Sequence, residues 1–146
     1  MASTHVQKKC ELWIVNHWLP EKYGCVFSEG KVKMQGRGHF AFDAVSENEA
    51  IIGNVSTASA FTHRGSVASG KKSKLRADCL MLALVSAKTK LMLLTEPDMA
   101  VFGLKEQKEG RLPLDVQIIH IELPQELKKQ LLKAREIASK EVRGRA

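Results

Sequence analysis

The chain has 146 residues, 44% of them hydrophobic and 27% charged, a composition that builds a packed core and excludes a disordered or fibrous polymer. Its 23 basic and 16 acidic side chains leave a formal charge of +7, which favours polyanionic partners such as nucleic acid but says nothing about fold. With no apolar run near the roughly 20 residues that cross a bilayer, and no signal core in MASTHVQKKCE, the expectation is one intracellular, cytoplasmic domain over residues 1–146.

Val6, Cys10, Trp13, Ile14 and Trp18 recur at three- and four-residue steps, which predicts a helix with one buried face. Pro20 and Gly24 are expected to stop it. Cys25 to Gln35 alternates loosely around Glu29-Gly30, as strands or a short hairpin do, before Gly36-Arg37-Gly38 breaks the pattern. Residues 39–56, HFAFDAVSENEAIIGNVS, read as two strands around a polar turn from Ser46 to Glu49. With Val45 opposite Ala50, alternation places His39, Asp43, Asn54 and Ser56 on one face and Phe40, Phe42, Ile51 and Val55 on the other. A carboxylate buried without compensation is strongly unfavourable, so Asp43 inside an apolar strand requires a partner, a metal or solvent.

Residues 57–70 are rich in Ser, Ala and Thr with little periodicity, the pattern of a mobile loop or lid. Leu75, Cys79, Leu82, Ala83 and Ser86 mark a helix over Lys72 to Ala87, and Leu80, Leu84 and Val85 widen its apolar face enough to predict a central, packed helix. Lys90 to Thr95 reads as a strand, Val101 to Lys108 as a short helix, and Val116 to Leu123 as a further strand. Pro124 opens a last helix carrying Leu127, Leu131, Ala134 and Ala138, with a basic tail over residues 140–146. Cys10, Cys25 and Cys79 are too widely spaced for a zinc pattern and read as free thiols.

The succession of helix, strand, hairpin, helix, strand, helix, strand and helix predicts an α/β domain, a mixed sheet flanked by helices. On the stretch FDAV, the turn and IIGNVS, the chain resembles the PD-(D/E)XK phosphodiesterase superfamily, which implies a restriction-endonuclease-like fold over about residues 6–123. The resemblance assigns Asp43 as the metal-binding aspartate and Glu11 as the additional acid of the first helix. Asn54 then stands where the second carboxylate belongs and Ser56 where the lysine belongs. Implied metal ligands are Asp43, Glu11 and Asn54, with Mg2+ the cofactor of an active form and none needed otherwise. The catalytic candidates are Asp43, which the resemblance assigns, Lys74 as a relocated lysine from the basic start of the central helix, and His39, on the polar face of the hairpin, as a base.

Lys71, Lys72, Lys74 and Arg76 crowd the start of the central helix, where the macrodipole disfavours cations, and with Arg64 they form the expected contact to nucleic acid, DNA first. The expected function is nucleic-acid binding by a nuclease-like fold with lost or weak cleavage. An active nuclease with a rearranged site is the first alternative. A protein-interaction or assembly subunit, self-associated or bound to another protein, is the second.

Overall fold

A computed structural model describes residues 2–36, 38–62 and 65–144. Helix α1 (Ala2–Trp13) carries the predicted stripe, with Cys10 and then Ile14 fully buried and Val6, Trp13 and Trp18 packed around them. The helix does not stop at Pro20. It widens into a π turn, Ile14–Trp18, in which Leu19 N–H reaches back to the Ile14 carbonyl, and continues as α2 (Leu19–Tyr23). The widened turn absorbs a proline that lacks an N–H to give. Gly24 then ends the helix in the left-handed conformation, φ 70°, its N–H on the Pro20 carbonyl at 2.8 Å.

Strands β1 (Phe27–Lys33), β2 (His39–Ser46), β3 (Ile51–Ser56), β4 (Thr89–Leu94) and β5 (Val116–His120) form one sheet in the order β1-β2-β3-β4-β5. Glu29-Gly30 therefore lies inside a single strand rather than at a hairpin turn. The pairs β1–β2 and β2–β3 are antiparallel, whereas β3–β4 and β4–β5 are parallel. Each parallel step needs a crossover, supplied by α3 (Ser69–Ala83) and α4 (Pro97–Lys108). The last helix, α5 (Gln125–Gly144), packs beside α1.

The sheet is covered on both sides. Phe42, Val45, Ile52, Met92 and Leu94 meet Leu75, Cys79 and Leu82 of α3 and Met99 of α4. On the other side, Ala44, Val55, Leu91 and Leu93 meet Cys10, Ile14 and Leu131. Each large apolar side chain buried in this way stabilises the fold by roughly 1.5–3 kcal/mol. Gly53 is required by the closeness of β3 and β4, since a Cβ there would lie 3.1 Å from the Leu91 carbonyl oxygen and 3.3 Å from Leu91 Cβ. Helix α3 is less buried than its composition predicts: Leu80 is 55% and Leu84 41% exposed, so its buried stripe is Leu75, Cys79 and Leu82, with Met81 packed against the same core and Val85, just past the helix end, buried there as expected.

The β2–β3 hairpin differs from the expected register by two residues, with Val45 opposite Ile52 and Ala44 opposite Gly53. The cause is the turn. Ser46 Oγ donates to Asn48 Oδ1 at 2.9 Å and accepts from Ile51 N–H at 3.0 Å, which ties off a longer loop with Glu49 at φ 57°. A bulge also interrupts β2. Ser28 opposes Val45 and Gly30 opposes Phe42, so Asp43 and Ala44 together face the single residue Glu29. Phe42 and Val45 consequently lie on the α3 side while Ala44 lies on the α1 side. Phe40 and Phe42 do not share a face with Ile51 and Val55, because the bulge reverses the alternation between them.

Candidate functional site

The ladder between β2 and β3 stops at the bulge. Beyond Ala44–Gly53 no further backbone pair joins the two strands. Side chains bridge them instead: Asp43 N–H donates to Asn54 Oδ1 at 3.3 Å, and Val55 N–H donates to Asp43 Oδ2 at 2.8 Å. The two strands thus open as a fork whose crotch is held by the carboxylate and the amide that stood out in the sequence. Asp43 has the partner its burial required, a backbone donor. Ser56 ends β3 opposite Leu94, its hydroxyl accepting from Ala58 N–H at 3.2 Å.

Two further carboxyl groups flank the fork. Glu11 reaches it from α1 and holds an ion pair with Lys8 at 3.3 Å, while Lys8 also binds Glu29 at 3.1 Å. Burial raises the Glu11 pKa above the ordinary carboxylate value, and the Asp43 charge raises it further. Asp78 approaches from α3, paired with Lys74 at 3.2 Å. Its pKa too is raised by burial first, opposed by Lys74 and reinforced by Asp43. Asp78 has no counterpart among the residues singled out in the sequence. Its signal was present, an acid adjoining Cys79 on the rim of the buried stripe and one helical turn after Lys74.

The fork is a poor cage for a divalent cation. Mg2+ needs several anionic or carbonyl oxygens in near-octahedral array. Here Asn54 Oδ1 already accepts from Asp43 N–H, which fixes the amide orientation and leaves Nδ2 as a buried donor without a partner, on a side chain only 3% exposed. A buried amide N–H offers no oxygen to a metal and calls for an acceptor instead. Among the described residues no cluster of three or more His, Cys, Asp or Glu side chains has a metal-holding arrangement. The residues present therefore do not fit the Mg2+ that the resemblance implied, although Asp43 and Glu11 do come together.

Lys74 is brought to the site through Asp78, whereas His39 is not. His39 opens β2 opposite Lys33, exposed and about 13 Å along the strand from Asp43. Lys71 and Lys74 are exposed at the first turns of α3, a helix with no acidic residue in its first turn and no side-chain cap. Lys72 lies over the Phe61 and Phe102 rings, and Arg76 pairs with Glu106 at 3.2 Å. The buried Glu106 also accepts from Arg111 Nε at 2.6 Å, and its pKa is lowered chiefly by that bond. Arg64 lies outside the described residues.

A second polar group, unannounced by any motif, closes the same end of the sheet two strands away. Arg135 of α5 binds Glu96 at 2.7 Å and the Thr57 carbonyl, and His120 Nε2 lies 3.2 Å from the Thr95 carbonyl. These charges satisfy one another, which marks the group as a clamp of α5 onto the strand ends. No protein-family model, curated protein or solved structure matches the chain. No described helix is long and apolar enough to cross a membrane.

The raised Glu11 pKa has a measurable consequence. Below its ordinary value of 4.5 the group is protonated in both folded and unfolded chains and does not affect stability. As pH rises past that value the unfolded chain loses the proton first, so the folded state is penalised increasingly until its own, higher pKa is passed. Glu11→Gln is therefore expected to raise the melting temperature by roughly 2 °C at pH 7.5 and to leave it unchanged at pH 4, read by thermal denaturation. A gap that widens on acidification contradicts this assignment.

Proposed function

We propose that the chain is a cytoplasmic nucleic-acid-binding domain, DNA its first candidate ligand, with a restriction-endonuclease-like architecture and a phosphodiesterase centre that has lost most or all of its activity. The observation that carries this reading is the fork at Asp43–Asn54 beside the cationic start of α3. The resemblance implied an aspartate in one strand of a hairpin within a mixed sheet flanked by helices, and the opening of the hairpin at Asp43, with α3 crossing over to β4, is compatible with it. Asn54 and Ser56 supply neither the second anionic ligand nor the cation that would stabilise charge developing on a phosphoryl group. Lys71, Lys72, Lys74 and Arg76 remain to hold phosphates, and such contacts require no metal.

The expected result is binding of a fluorescent DNA oligonucleotide that persists in EDTA and weakens linearly in log–log form with salt, as counterion release demands. Supercoiled plasmid incubated with Mg2+ or Mn2+ is expected to remain intact or nearly so. Affinity that disappears in EDTA, or that ignores salt, contradicts the proposal.

A further inference from the structure

Shortly after Ser56 the chain makes a small hairpin in which Phe61 pairs with Val67. Its base is firmly tied. Asp98, in the first turn of α4, accepts from the Ser59 hydroxyl and from Ala60 N–H, the latter at 3.2 Å, and Ala68 N–H returns to the buried Ala60 at 3.0 Å. The hairpin nevertheless leaves Phe61 46% and Val67 58% exposed. The Lys72 ammonium stands 5.1 Å from the Phe61 ring centroid and 4.6 Å from that of Phe102, and the Arg76 guanidinium is 5.3 Å from the latter.

Helical spacing explains why these cations gather here. On α3, Lys72 and Arg76 form one row and Lys74 and Asp78 another, with the buried stripe of Leu75, Cys79 and Leu82 between them. One row faces the fork. The other faces the exposed ring, so cations border an aromatic surface that a tied backbone holds in place.

From this juxtaposition, and resting on the nucleic-acid reading above, we infer that Phe61 is a stacking platform for an unpaired base and that the domain prefers single-stranded nucleic acid to duplex. A duplex buries the faces of its bases and offers mainly phosphates. A single strand offers both phosphates, for Lys71, Lys72 and Arg76, and a free base face, for Phe61. Lys72 occupies the ring in the unbound protein and moves to a phosphate when a base takes its place. The neighbouring acids do not oppose this, since Asp98 is held by the hairpin base, and Glu106 keeps Arg111 at 2.6 Å when Arg76 turns to a phosphate.

The test compares labelled oligodeoxythymidine and oligouridine with a duplex of equal length, by fluorescence anisotropy, for the wild-type chain, Phe61→Ala and Phe61→Trp. Phe61→Ala is expected to weaken single-strand binding about tenfold while changing duplex binding less than twofold, and Phe61→Trp to preserve it. Circular dichroism and the melting temperature establish that both variants fold, as expected for an exposed site. If nucleic acid binds but Phe61→Ala changes neither affinity, or lowers both equally, the stacking inference fails and the binding proposal stands. If none of the three nucleic acids binds at low salt, both fail.

Discussion

Replacing Lys71, Lys72, Lys74 and Arg76 together with glutamine is expected to weaken nucleic-acid binding by ~10²–10³ near 0.1 M salt and to lower the salt slope by up to about four, because each lost phosphate contact removes close to one released counterion. Glutamine keeps the length and polarity of the side chains, so the change reports charge. The fold is expected to tolerate it. Glu106 loses Arg76 but retains Arg111 at 2.6 Å, and Lys71 and Lys72 form no ion pairs among the described residues. Lys74 is the exception. Without it Asp78 keeps the burial that raises its pKa and loses the cation that opposes the rise, so Lys74→Gln alone should reduce stability at neutral pH. The sign follows from linkage: a carboxyl raised above its ordinary value destabilises the folded chain as pH climbs past that value. Asp78→Asn in the same background should restore the melting temperature without restoring affinity, separating the fold from the binding surface. A quadruple variant that still binds as tightly, with an unchanged salt slope, would place the interface elsewhere.

Elements announced by apolar spacing were legible in the sequence because they depend on local pattern. The stripe from Val6 to Trp18 packs in and around the core as expected, Lys90 to Thr95 overlaps strand β4 with its start one residue late, and Val116 to Leu123 contains strand β5. What escaped were features created by contacts between elements. The bulge at Asp43 leaves no mark in spacing beyond a polar residue in an apolar run, yet it separates Phe42 from Ala44 across the sheet. The register of the hairpin was set by Ser46 and Asn48 side chains rather than by alternation. Pro20 reads as a helix end until a π turn makes room for it. Asp43 was legible because a carboxylate in an apolar strand is costly enough to stand out, and Asn54 because alternation put it on the same face, whereas Glu11, on a helix, was reached only through the family resemblance. Asp78 was hidden by its ordinary pairing with Lys74, four residues away on the same helix.

The fork also specifies what would be needed to turn it toward metal chemistry. In Asn54→Asp one carboxylate oxygen can keep accepting from Asp43 N–H, and the other replaces the unpartnered Nδ2 with an anionic ligand aimed into the same space. Removing a buried unsatisfied donor relieves roughly 1–3 kcal/mol. A second carboxylate beside Asp43, with Glu11 close by, outweighs that gain through like-charge repulsion and desolvation. Asn54→Asp is therefore expected to melt below wild type in EDTA and to recover in millimolar Mg2+ or Mn2+, by about 2.7 kcal/mol once the cation reaches a hundred times its dissociation constant. Wild type should show no comparable rise, since its amide presents a donor where the metal needs an oxygen. Ser56→Lys, added to Asn54→Asp, places a cation at the end of β3, where the half-buried serine leaves a path for a long side chain to reach the fork. The double variant is expected to nick supercoiled DNA with Mg2+ or Mn2+, and Asp43→Ala in that background to abolish nicking. Should Asn54→Asp gain no metal-dependent stability, Asp43 and Asn54 are structural pins of an open hairpin, and the nuclease-like reading of the fork is wrong.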